Sequence, residues 1–146
     1  MTTGHYFTSE GYFTSSSPVI IIHHKKEHSD NMAESKLREL STEFAIKIIK
    51  LCETIKGHYS LVNQLERSAT SIGANIHEAN YAHSKPDFIA KLQIALKECY
   101  ETEYWLELFV KSEIISKDSA IELYNRCGTI RRILIASINT AKDNEK

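Results

Sequence analysis

Apolar residues three and four positions apart recur through four successive segments of this 146-residue chain, and that spacing restricts the fold more than any other feature. At 3.6 residues per turn such residues line one stripe of a helix. The first stripe is Leu37, Leu40, Phe44, Ile48, Leu51 and Ile55, closed by Gly57 where a helix C-terminus favours glycine. The second, over about Ser60 to Tyr81, is Leu61, Leu65, Ala69, Ile72, Ile76 and Ala79. Ser84 caps the third helix, with Pro86 in its first turn and Asp87 in a capping-box-like position. Its seam is Phe88, Leu92, Ala95, Cys99, Thr102, Leu106 and Phe109. Ser116 opens the fourth, whose seam is Leu123, Cys127, Ile130, Leu134, Ile138 and Ala141. Helices of roughly 20 to 27 residues, about 30 to 40 Å long, joined by such short links pack as antiparallel neighbours. The predicted fold is all-α, an antiparallel up-down-up-down four-helix bundle over residues 34–146.

Residues 1–33 differ in kind. "YFTSEG" at Tyr6 is nearly repeated by "YFTSSS" at Tyr12, and the segment is rich in Ser, Thr and Gly. It reads as a flexible N-terminal tail, with Met32 as an alternative physiological start. His23, His24 and His28 have metal-ligand chemistry, but ligand spacing needs a rigid frame, so no metal is expected there.

The net charge of −1 offers no long-range field to a nucleic acid backbone. Without the first 31 residues the chain carries 16 basic and 16 acidic side chains, so the bundle is neutral. Cys52, Cys99 and Cys127 have no CxxC spacing and each falls on a different helical seam, the pattern of buried reduced thiols. No stretch approaches the ~20 apolar residues of a membrane span, and "PVIII" at Pro18 is too short for a signal-peptide core. A cytoplasmic protein without membrane contact is expected.

Helix two breaks the rule that a monomeric bundle leaves its outer faces charged. From Ala69 to Ile76 there is no charge, and opposite the seam lie Arg67, Ser71, Ala74 and Glu78, with Asn75 on the flank. Gly73 costs about 1 kcal/mol of helix propensity, which close packing against another backbone would offset. Helix three carries a second stripe of Lys91, Ile94, Glu98, Glu101, Trp105 and Leu108. Large apolar groups flanked by charge suit a protein interface. The expected oligomer interface is therefore Ser71, Ala74, Asn75, Glu78, Ile94, Glu98, Glu101, Trp105 and Leu108; the alternative is that Trp105 packs on the tail or a loop of its own chain. Buried carboxylates there require partners, and the candidates are Arg67, Lys91, Lys97, Arg131, Arg132 and the Asn75 amide.

Catalytic signals are missing. Di-iron bundles use Glu-x-x-His pairs, and none occurs in the four helices. There is no phosphate loop and no zinc-spaced Cys/His set, and Glu98 with Glu101 do acid–base work only in a cleft with shifted pKa values. No catalytic residue, cofactor or metal is predicted.

The segment Gln64–Phe109, through "SIGANI.EA", "SK.DFI.KL.IALKE" and "ET.YWL.L", resembles the bacterial four-helix bundle family also called 23S rRNA intervening-sequence proteins. Asn75, Glu78 and Trp105 stand at the family's fixed offsets. His77 departs from it where many relatives carry Arg or Ala, and Ala79 where some carry Gly. The resemblance implies a non-enzymatic self-associating bundle whose relatives form ring-shaped, often pentameric, homo-oligomers. It is also similar to accessory proteins of diversity-generating retroelements, which bind reverse transcriptase and nucleic acid. That implies an alternative, an RNA-associated accessory protein, with Arg126, Arg131, Arg132 and Lys142 as its nucleic-acid contacts. Such a cluster also suits a solvated helix end.

Overall fold

The computed structural model describes the backbone of residues 18–144 and the side chains of residues 32–144. The His23, His24 and His28 side chains and the repeats of the first 17 residues lie outside that range. Four helices follow one another: α1 (Pro18–Thr54), α2 (Tyr59–Ala79), α3 (Lys85–Lys111) and α4 (Lys117–Asp143). α1 packs on α2 and α4, and α3 packs on the same two, so the helices stand at the corners of a square. The predicted antiparallel bundle is the observed one.

α1 begins well before its apolar seam. Pro18 suits a first helical turn, and no Gly or Pro follows until Gly57, so nothing stops helical backbone upstream of Leu37. Apolar periodicity reports the part of a helix that has a partner, which is why it begins later. The turn into α2 needs left-handed backbone at two consecutive residues, Gly57 at φ 77° and His58 at φ 53°. Ser84 caps α3 through Oγ, which accepts the Asp87 N–H at 3.3 Å. Ser116 caps α4 in the same way from the Ser119 N–H at 3.1 Å.

All four seams converge on one core. Phe44, Ile48, Leu65, Ile72, Leu106, Phe109, Ile130 and Leu134 are fully buried, and each large apolar side chain removed from water contributes about 1.5–3 kcal/mol. Two polar features sit inside. The Thr102 hydroxyl donates to Ser68 Oγ at 2.9 Å across α2 and α3, and the Ser68 hydroxyl donates back to the Leu65 carbonyl. Between α3 and α4, Glu103 is buried and accepts from Arg131 Nε at 3.0 Å. Gly73 turns toward α1, not outward, and a Cβ there would meet Ser41 Oγ at 3.5 Å, ordinary contact. The expectation that close packing accounts for Gly73 is therefore not met within the chain.

Candidate functional site

The stripe spacing on α2 and α3 brings the expected interface residues to one outer face where these helices adjoin. Its polar groups form two bridges between them. Lys91 pairs with Glu78 near one end. Further along, Arg67 bonds Glu101 Oε1 and places its other amino group 3.8 Å from Glu98 Oε1. Of the partners anticipated for these carboxylates, Arg67 and Lys91 serve; Arg131 is committed to Glu103, on the α4 side of α3. The Asn75 amide donates to the Ser71 carbonyl one turn back, at 2.8 Å, and so caps its own helix backbone.

The apolar part is graded. Ala74 and Ile94 are exposed, whereas Ser71, Asn75, Trp105 and Leu108 are half-buried. Trp105 leans on the core, donates its indole N–H to Glu101 Oε1 at 3.2 Å, and meets the Tyr104 ring edge-on. It is thus better sheltered than its place on a second stripe suggests, and the outermost apolar group is Ile94.

Glu98 is the anomaly of this face. Its side chain is 17% exposed, and its Oε2 is buried with no hydrogen-bond partner among the described residues. Burial, followed by the charge of Glu101, pushes its carboxyl above the ordinary range, against the opposing pull of Arg67 and Lys97. A buried acceptor without a donor costs about 1–3 kcal/mol.

The four cations expected to contact nucleic acid do not form one patch. Arg126 is bound to Glu122 and faces Glu43 on α1, while Arg131 is tied to Glu103 and lies over the Tyr100 ring. Five residues apart on α4, these two point about 140° away from each other. Arg132 bonds only the Thr129 hydroxyl, and Lys142 is exposed. Both lack a carboxylate within ion-pair distance among the described residues.

Sequence reasoning missed two things. Glu103 was not singled out; it follows Thr102 on the α4 side of the seam, and Arg131, 28 positions later, carries no local signal of that pairing. It also missed the exposed large side chains Tyr100 and Tyr104 on α3 and Ile121 and Tyr124 on α4. These residues come from two helices, so no single stripe displays them together. Among the described residues no three His, Cys, Asp or Glu side chains converge as metal ligands, and no helix is long and apolar enough to cross a membrane.

Residues 33–136 match the family described as 23S rRNA-intervening sequence protein. Among solved structures, the chain is similar to a protein of unknown function from the S23 ribosomal protein family of Bacteroides thetaiotaomicron VPI-5482. The two share 41% identity and a TM-score of 0.70, over 73% of this chain and 98% of that one. No curated protein matches.

Proposed function

Because this chain belongs to the 23S rRNA-intervening sequence protein family, we propose that it is a non-enzymatic, self-associating binding or scaffolding module. Its surface of association is the outer face of α2 and α3, and the family resemblance makes a pentameric ring in the cytoplasm the expected form. The observation that carries this reading is Glu98 Oε2, a buried acceptor without a donor among the described residues, set beside exposed Ile94 and Ala74. A neighbouring subunit supplies both the missing donor and the missing cover. Ile94→Arg tests it. Ile94 is 42% exposed, so the folded bundle tolerates the change, whereas Trp105→Asp would also disturb the core. Light scattering is expected to show a mass falling to that of one chain with helical content retained; an unchanged oligomer mass would refute the reading.

An accessory role on RNA has one supporting observation, the lack of carboxylate partners for Arg132 and Lys142. Binding to 23S rRNA fragments across a salt series tests it. Affinity that weakens steeply with salt supports the role, and no binding at low salt removes it.

A further inference from the structure

We propose that the hollow framed by α1, α3 and α4 at one end of the bundle binds a small organic anion with an apolar body, such as a medium-chain carboxylate. The hollow has a volume of about 510 Å³, within the range of small-molecule sites, and the space between the helices of a bundle is a recurrent place for them. Among the described residues none of α2 lines it, so the proposal stands apart from association through the α2–α3 face.

The sequence makes the room. On α4, Arg132, Ala136, Thr140 and Asn144 are four apart and follow one face of the helix. At 1.5 Å per residue that row runs about 18 Å along the axis. Ala136 and Ala141, with Ala33 on α1 opposite, end at Cβ where a longer side chain would fill the space. Phe88, from the first turn of α3, and Ile133 line the hollow and pack against the buried core. Its floor is therefore apolar and continuous with the interior.

The rim is cationic. Arg132 bonds only the Thr129 hydroxyl, and Lys85, the first residue of α3, has no carboxylate within ion-pair distance among the described residues. Glu34 also lines the hollow but is already engaged with a partner of its own, so the two cations outnumber it. On the α4 wall the Ser137 and Thr140 hydroxyls add neutral donors. A guanidinium matches a carboxylate through two parallel hydrogen bonds, which makes Arg132 the group to orient the head of the ligand. An apolar floor beneath two cations selects a molecule that is apolar along its length and anionic at one end. A cation is repelled, and an uncharged chain leaves the guanidinium unused.

Decanoate, kept below its micelle-forming concentration, is the probe. It is titrated into the full chain by isothermal calorimetry and followed by NMR of the isoleucine and alanine methyl groups. Saturable one-to-one binding is expected, with shifts centred on Ile133, Ala136 and Ala141. Arg132→Gln is expected to weaken binding roughly tenfold, the worth of a charge-assisted hydrogen bond at an exposed site. Ala136→Trp, at an exposed position, is expected to abolish it by filling the hollow. Circular dichroism checks both variants for retained helix, and Arg132→Gln decides the matter alone if the tryptophan variant misfolds. Absence of saturable binding, shifts that fall elsewhere, or an affinity that Arg132→Gln leaves unchanged overturns the site. Equal affinity for 1-decanol overturns the anionic class, because the hollow would then take apolar chains without regard to charge.

Discussion

Arg131→Met removes the guanidinium that serves Glu103 and leaves the Glu103 side chain, 10% exposed, facing the apolar seam between α3 and α4. Three effects set the size of the loss. The charge-assisted hydrogen bond at 3.0 Å contributes about 1.5–3 kcal/mol, and breaking a fully buried ion pair costs about 3–5 kcal/mol because the survivor lacks compensation. The contact of Arg131 with the Tyr100 ring, 5.5 Å from its centroid, adds about 0.5–1 kcal/mol. These contributions overlap, and Arg131 is itself 29% exposed, so water reaches the vacated end and screens part of the penalty. The expected loss is about 2–3 kcal/mol. With a urea m-value of about 1.5–2 kcal/mol/M, the midpoint falls by about 1–2 M. The measurement belongs in the Ile94→Arg background, because assembly adds its own free energy to apparent stability. Glu103→Leu combined with Arg131→Met removes both charges and is expected within about 1 kcal/mol of the parent, so the second substitution recovers most of what the first loses. A single variant that shifts the midpoint by less than about 0.3 M, or a double variant no more stable than the single, would refute the assignment of this pair as a buried, mutually dependent unit.

Gly73→Ala is expected to raise stability by about 0.5–1 kcal/mol, read by urea unfolding, because alanine has the better helix propensity and its Cβ meets only ordinary contact with Ser41; a destabilised variant would show that Gly73 is needed for approach. Glu98→Gln, measured at protein concentrations dilute enough to hold single chains, tests the raised Glu98 carboxyl. A folded-state pKa above the unfolded value makes the Glu98 contribution most favourable below the unfolded pKa, and that contribution is lost as pH rises through the folded one. The Gln variant should therefore be more stable than its parent at neutral pH, with the advantage fading as pH falls to the ordinary carboxylate range; an advantage equal at both pH values contradicts the shift. The three thiols should resist an aromatic disulfide reagent in the native protein and all react in urea. Burial pushes Cys52 up to about 11, and Cys99 and Cys127 have no exposure; rapid labelling of any one in the folded state would refute its burial.

The fold was legible because helical seams are local patterns. Leu65, Ala69, Ile72 and Ile76 announce a buried stripe from their spacing alone, and Ser84 and Ser116 announce the caps that the structure confirms. The outer face of α2 and α3 was legible for the same reason, since Ile94, Glu98, Glu101, Trp105 and Leu108 share one helix. Pairings between helices were not. Spacing on α3 cannot say that Glu103 meets Arg131, nor that Arg67 bridges to Glu98 and Glu101, because each depends on the axial offset of two helices. A hollow between α3 and α4 was hidden for the same cause: Val110 on α3 comes beside Ile121 and Tyr124 only after α4 is laid alongside. Gly73 was misread because its direction depends on which neighbour α2 turns toward, and that neighbour is α1.

Sedimentation equilibrium of the unaltered chain at neutral pH and tens of micromolar tests the central claim most directly. Self-association through the outer face of α2 and α3 predicts a mass that is a multiple of the 16.7 kDa chain. A mass of one chain across that concentration range would contradict it, and would leave Glu98 as a buried acceptor that the monomer simply tolerates.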